Sequence, residues 1–327
     1  MATAMLTTRD MTLAPPAQER RDEPDTITIG LVNNMGDAAI RATERQFGGL
    51  LQTDDLDVRV RYFHLPQVPR SETARATFLT TYAGVDELWD DSVDGLIVTG
   101  AEPRVPRLQD EQYWPMLTKL INWAEGNTIS TIWSCLAAHA TVLHIDGVAR
   151  RPLPSKLFGL FDCVKACEHP MLAGAPAHWP VPHSRLNDLD RVALAAHGYV
   201  VLSSSPIAGA DTFCKQRGSL FVFFQGHLEY DAQTLLREYI RDITRFINGE
   251  RDTYPNMPHA YFNETFSADF QRIRARAVAE PSSDILALIA ETPVAKSLIN
   301  TWRASATNIY KNWLHYLADE KRRRAAR

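Results

Sequence analysis

Two stretches of this 327-residue chain set a reactive side chain directly after an apolar run. The first is Thr131-Ile-Trp-Ser-Cys135-Leu-Ala-Ala-His139. A cysteine at a strand-to-helix turn stands out at the top of a sheet. The helix N-terminus and free backbone N–H groups there favour a thiolate and can hold an oxyanion. So tight a turn needs small neighbours, and Ser134, Ala137 and Ala138 provide them. On this segment alone, a buried and inert cysteine is the alternative. The second stretch is Phe224-Gln-Gly-His227-Leu-Glu229-Tyr-Asp231. A thiol nucleophile needs a base to take its proton, and the base needs an acid to fix its tautomer and stabilise imidazolium. Cys135, His227 and Glu229 supply all three roles from two strand ends. An H-x-E pair is common on surfaces, so its weight comes from the cysteine turn that accompanies it.

The elements that must position these groups follow from hydrophobic pattern. Residues 26–33, 58–63, 94–100 and 130–134 read as strands, and 38–51, 113–125 and 136–143 as helices. In the later half, 199–203 and 219–224 read as strands and 231–248 as a helix, with Leu235, Tyr239, Ile243 and Ile247 at four-residue spacing. This alternation predicts an α/β fold, a mostly parallel sheet with helices on both faces. After Pro255 the pattern changes to helix and loop, with helices over 266–279, 284–290 and 295–320. The expected organisation is a mobile leader over 1–25, a catalytic domain over 26–254, a helical C-terminal extension over 255–320, and a basic tail over 321–327.

Composition narrows the function. With 45% hydrophobic and 23% charged residues the chain has ample material for a core, so wholesale disorder is excluded. Thirty-five Lys and Arg against 39 Asp and Glu, with a pI near 6.2, argue against a nucleic-acid binder. The basic end, Lys321-Arg-Arg-Arg-Ala-Ala-Arg, reads as a solvated helix terminus. Four cysteines are too few for a disulfide scaffold, and the scattered histidines lack metal-ligand spacing, so no metal is expected. No apolar run reaches the ~18–20 residues that span a bilayer. The N-terminal 25 residues lack the pattern of a secretion signal, so a cytoplasmic location is expected.

A strand-borne cysteine with a distant G-H-x-E resembles the class I glutamine amidotransferase-like fold. The fuller resemblance is to the homoserine O-acyltransferases of methionine biosynthesis. It is carried by Asp94-Gly-Leu-Ile-Val-Thr-Gly-Ala101 with Tyr113-Trp114, and by Pro182-His-Ser-Arg185. Gly226-His-Leu-Glu-Tyr-Asp231, Glu238-Tyr-Ile-Arg-Asp242, Thr301-Trp-Arg303 and Asn312-Trp-Leu-His-Tyr316 follow in family order. The resemblance implies that Cys135 accepts the acyl group from acyl-CoA, with His227 as base and Glu229 as its orienting acid. It implies that Arg241 binds the amino-acid carboxylate, that Glu238 lies beside the amino group, and that Lys156 and Ser184 contact substrate. Without it, the bland readings are a surface ion pair, a solvated lysine and a turn serine.

Four places depart from the family pattern. Leu136 replaces the tryptophan that usually follows the nucleophile, and His139-Ala140 stands where Q-A is usual. The N-terminal loop, Asn33-Asn-Met-Gly36, lacks the proline and the nearby lysine of the family, for which Arg41 is the local substitute. Arg104 occupies the slot that selects the acyl group, where family members with glycine tend to use succinyl-CoA and those with glutamate acetyl-CoA. A guanidinium there either pairs with the distal succinyl carboxylate or excludes succinyl by size, and its reversed sign favours succinyl. The expected function is ping-pong transfer of a succinyl or acetyl group to the hydroxyl of homoserine. Acyl-CoA is expected as co-substrate, with no permanently bound cofactor. Partners are then small molecules, with neither nucleic acid nor membrane, and the resemblance implies a homodimer. The alternatives are serine or another hydroxy amino acid as acceptor, a glutamine amidotransferase-like hydrolase, and a non-catalytic relative.

Overall fold

The computed structural model describes residues 26–327 and, of 77–79, the backbone alone; the expected leader lies outside the described residues. Apolar runs and amphipathic stretches alternate as β1 (Thr26–Val32), α1 (Ile40–Leu51), β2 (Asp57–His64), α2 (Glu72–Thr81), β3 (Ala83–Gly84), β4 (Gly95–Val98), α3 (Trp114–Asn127), β5 (Ser130–Ser134) and α4 (Leu136–Asp146). They continue as β6 (Arg151–Lys165), β7 (His178–Asp188), α5 (Arg191–Ala196), β8 (Val200–Ser205), β9 (Gly209–Gln216), β10 (Leu220–Phe224) and α6 (Thr234–Ile247). The chain ends in α7 (Glu264–Ala279), α8 (Asp284–Glu291), α9 (Val294–Ser297) and α10 (Arg303–Ala325).

The strands form one sheet in the order β3-β2-β1-β4-β5-β10-β9-β8-β6-β7. Neighbours are parallel from β3 to β10. They are antiparallel from β10 to β7. Every residue of β1, β4, β5 and β10 is buried, as strands covered on both faces must be. Along β10, Val222 and Phe224 pack with α1, α6, α7, α8 and α10, whereas Phe221 and Phe223 pack with α3, α4 and α5. The expected α/β architecture with a parallel sheet and two helical layers is therefore present.

Several elements differ from expectation. Local pattern does not predict β6, β7 and β9 of the antiparallel wing, nor α2, β3 and α5. Pro152, Pro154, Pro180 and Pro182 interrupt β6 and β7, and β6 shifts register between Pro152 and Leu157, features tolerated beside a sheet edge. The helix expected to start at Asp231 begins at Thr234, because the Asp231 carboxylate accepts from Gln233 N and Thr234 Oγ1 at 2.9 Å and stays outside the helix. The helix expected over 295–320 breaks between Ser297 and Arg303. There, Asn300 Nδ2 and the buried Trp302 Nε1 donate to Tyr230 O at 3.1 and 3.0 Å. These bonds fasten the C-terminal helices to the loop that carries His227. α10 then continues through the first part of the basic tail to Ala325. Lys321 Nζ donates to Thr26 O at 2.8 Å and meets Asp94 Oδ2 at 3.0 Å.

Candidate active site

β5 delivers Cys135 in a conformation that L-residues avoid, with φ 53° and ψ −113°. Among the described residues only Ala260 is another non-glycine with positive φ. Such backbone costs about 1–3 kcal/mol and persists where the surroundings hold it. Here the Cys135 N–H donates to Phe224 O at 2.7 Å, and Cys135 O accepts from Ala138 N at 3.0 Å, which starts α4. The turn leaves the thiol partly accessible. Beside it, a Cβ on Gly100 would lie 2.7 Å from Leu136 Cβ and 3.0 Å from Leu136 N. Only glycine lets the loop after β4 approach the first turn of α4 so closely. That junction gathers the free N–H groups of a helix start next to the sulfur, the arrangement an oxyanion needs.

The loop after β10 delivers His227, the expected base. Gly226 N donates to Asp211 Oδ1 at 3.2 Å and His227 N to Pro182 O at 2.8 Å, which fixes the loop. His227 Nδ1 lies 2.8 Å from Glu229 Oε1, both side chains being buried, and this leaves Nε2 for the sulfur. The imidazole stacks on Tyr230, with centroids 4.2 Å apart and planes 17° from parallel. Burial is the largest influence on His227 and lowers its pKa. The charges of Cys135 and Glu229, and hydrogen bonds to both, outweigh it and hold the imidazole well above its ordinary value. The structure thus joins Cys135, His227 and Glu229.

The expected substrate residues gather beside them. Tyr230 Oη donates to Glu238 Oε1 at 2.6 Å, and Ser184 Oγ donates to Glu238 Oε2. Lys156 Nζ lies 3.4 Å from Glu238, 2.9 Å from Asp242 and 4.1 Å from the centre of the Phe158 ring. Burial opposes ionisation of Glu238 most strongly, but Lys156, Ser184, Tyr230 and Arg241 outweigh it and hold the carboxyl below its usual range. Arg241 meets Asp242 at 3.0 Å and Glu238 at 3.8 Å, with nearly half its side chain exposed, so part of its guanidinium faces solvent. Tyr230 and Asp242 were not assigned roles from sequence, although both stand inside the quoted motifs. Lys156 and Ser184 come from β6 and β7, which sequence reading left unassigned.

Arg104 lies apart from that cluster. It lines a cleft of about 680 Å³ with Asn34, Arg70, Glu102, Tyr113 and Arg245. Its backbone N–H donates to Glu111 Oε1 at 2.6 Å and its side chain is exposed. Arg41 does not take the place of the missing lysine, because it pairs at 2.9 Å with Glu44 on the surface. The cation that holds the Asn33–Met35 loop is Arg70, which donates to Met35 O at 2.7 Å and Asn33 O at 3.0 Å.

Among the described residues, one group has atoms close enough to hold a cation: Cys163 Sγ, His183 Nε2 and Asp211 Oδ1, all buried and within 4.8 Å of one another. Burial and the nearby Asp211 push the Cys163 thiol far up, which favours S–H over the thiolate a metal requires. Asp211 accepts from Ser203, Thr212 and Gly226 instead, and so supports the loop before His227.

Sheet order and the strand-to-helix turn at Cys135 define a class I glutamine amidotransferase-like fold. A glutamine amidotransferase crystal structure from Methylobacillus flagellatus shares the fold, with a TM-score of 0.51 at 16% identity over 89% of this chain and 95% of that one. Residues 1–323 match the family model for homoserine O-succinyltransferase. The chain is 46% identical over 318 residues to the homoserine O-succinyltransferase of Rhodopseudomonas palustris, covering 94% of this chain and 96% of that protein. It is 45% identical over 314 residues to that of Bradyrhizobium japonicum, covering 94% and 95%. The chain belongs to the homoserine O-succinyltransferase family.

Proposed function

We propose that this protein transfers a succinyl group from succinyl-CoA to the hydroxyl of homoserine through a thioester on Cys135. The observation that carries the reading is the strained strand-to-helix turn that presents Cys135 beside the hydrogen-bonded His227–Glu229 pair, which stacks on Tyr230 and through it meets the Glu238–Arg241 face. In the first half-reaction the Cys135 thiolate attacks the thioester carbonyl, N–H groups at the Gly100–Leu136 junction hold the oxyanion, and CoA leaves as its thiol with a proton from His227. In the second, the homoserine carboxylate docks on Arg241 and its ammonium on Glu238. His227 takes the hydroxyl proton, the oxygen attacks the acyl-enzyme, and the ester departs as the Cys135 sulfur is released. Arg104, exposed at the cleft, favours an anionic donor.

A matrix of succinyl-CoA and acetyl-CoA against homoserine and serine tests this. Succinyl-CoA with homoserine should give the highest kcat/KM. Serine is one methylene shorter and should be disfavoured by ~1–3 kcal/mol. Arg104→Glu should shift preference towards acetyl-CoA by about tenfold, the effect of reversing one partly solvated charge. Glutamine hydrolysis without acyl transfer would replace this reading with an amidotransferase-like hydrolase.

A further inference from the structure

His139, one of the departures from the family pattern, lies in the first turn of α4, with its N–H on Cys135 O at 3.3 Å. Its imidazole is buried, and Nε2 lies 2.9 Å from Oε1 of Gln225, the residue between β10 and Gly226-His227. The other bonds of that amide fix its orientation. Gln225 Nε2 donates to Ala210 O at 2.6 Å, and Oε1 accepts from Leu189 N at 3.1 Å. The atom that faces His139 is therefore an acceptor, so His139 carries its proton on Nε2. Nδ1 is left bare, buried without a hydrogen-bond partner among the described residues. Burial is the largest influence on this imidazole and, with the charges of Arg185 and Arg150, outweighs the Gln225 bond and Asp188. It holds the pKa at about 3, so the ring is a neutral donor near neutral pH. Desolvating a nitrogen without a partner is unfavourable, and an apolar side chain would serve the core better.

The Nε2 bond spans the two segments that carry Cys135 and His227. Alternate residues of a strand face opposite sides of the sheet, so Gln225 follows Phe221 and Phe223 on the side of α4. On the other side, a Cβ on Gly226 would lie 2.5 Å from Val181 Cγ1 and 2.6 Å from Asp211 Oδ1. Gly226 N donates to that carboxylate at 3.2 Å, and Gln225 N donates to Asp211 O at 2.9 Å. The loop is thus pressed against β7 and β9 on one face, and His139 sets its spacing from α4 on the other. Cys135 opens the first turn of α4, and His227 lies two residues beyond Gln225. One buried bond therefore ties the helix behind the sulfur to the loop that presents the imidazole.

We propose that His139 is a positioning residue, a strut that acts through Gln225 to set the distance between the Cys135 sulfur and the His227 imidazole. Its place in catalysis rests on the acyl-transfer reading above, but the coupling belongs to the enzyme without substrate. An imidazolium held beside a sulfur favours the thiolate. Without the strut the two groups separate, and the thiol should titrate closer to its ordinary value of about 8.5.

The test follows alkylation of Cys135 by iodoacetamide against pH, read by peptide mass spectrometry, in wild type, His139→Leu, His139→Gln and Gln225→Asn. His139→Leu fills the space without a donor. It should raise the midpoint by about one pH unit, a roughly tenfold smaller thiolate fraction at pH values below it. Gln225→Asn, one methylene too short to reach, should do the same. His139→Gln, whose amide can donate to the same Oε1, should keep the midpoint within about 0.3 unit of wild type. Should His139→Leu not fold, His139→Asn, polar but too short to reach, carries the same expectation. An unmoved midpoint in folded His139→Leu or His139→Asn would overturn the assignment, as would a shift in His139→Gln as large as that in His139→Leu. Turnover of succinyl-CoA with homoserine separates the two levels. A midpoint that moves while wild type transfers nothing keeps the strut and removes the transferase reading. Succinyl transfer by wild type with an unmoved midpoint in the variants does the reverse.

Discussion

The parallel and antiparallel halves of the sheet make different contributions to the site. The parallel half carries Cys135 and His227, the proposed nucleophile and base, at the carboxyl ends of β5 and β10, adjacent strands in register from Ser130 and Leu220 to Ser134 and Phe224. The antiparallel half carries Lys156 on β6 and Ser184 on β7, which hold Glu238 of α6 rather than any reacting atom of the triad. A fully buried strand with a strained turn fixes a reactive atom, and a half-exposed wing can present adaptable polar groups. On the proposed reading, chemistry and substrate recognition rest on different parts of one sheet, and loss of either half should be read by a different kinetic constant.

The widest separation is expected between His227→Gln and Ser184→Ala. His227→Gln should reduce kcat by about 10³-fold, as removal of a general base that also pairs with the nucleophile does. Ser184→Ala removes one hydrogen bond to a carboxylate that keeps three other partners, and should raise the homoserine KM by about tenfold with kcat little changed. Comparable kcat losses in the two variants would erase the distinction between the halves.

Glu238→Gln sharpens it further. The substitution keeps shape but removes the charge between Lys156 and the substrate ammonium. The homoserine KM should rise by about 10- to 100-fold, while CoA release from the donor alone stays within about threefold of wild type. Slowed CoA release would place Glu238 in the first half-reaction.

The triad also predicts a pH signature of stability. The pKa of His227 is raised in the folded state, so its contribution is fully present below the unfolded value of about 6.5 and is lost as pH rises through the folded value. Between about pH 6 and pH 9, Tm should therefore fall more in wild type than in His227→Gln. Parallel Tm profiles would contradict the coupled sulfur–imidazole pair. The smallest effect is expected for Trp302→Phe. It loses the bond to Tyr230 O and some buried ring volume, should destabilise by about 1–3 kcal/mol in denaturant unfolding, and should leave KM unchanged.

The same division explains what the sequence made legible. Continuous apolar runs such as 130–134 and 219–224 mark buried parallel strands, and a cysteine or histidine just after such a run is visible without any tertiary information. β6 and β7 alternate weakly and contain four prolines, so their pairing is set by neighbours that local pattern does not register. Glu238 and Arg241 were found through motifs shared with a family, and their link to the triad through Tyr230 emerged only in three dimensions. The break before α10 was missed for a related reason: its cause is the Tyr230 carbonyl, 70 residues from Asn300.

The account stands most directly on the covalent step at Cys135. Incubation with succinyl-CoA alone, followed by intact-mass and peptide analysis, should show one succinyl group on Cys135 and a stoichiometric amount of free CoA, both lost in Cys135→Ala. An unmodified wild-type enzyme, together with turnover retained by Cys135→Ala, would contradict it.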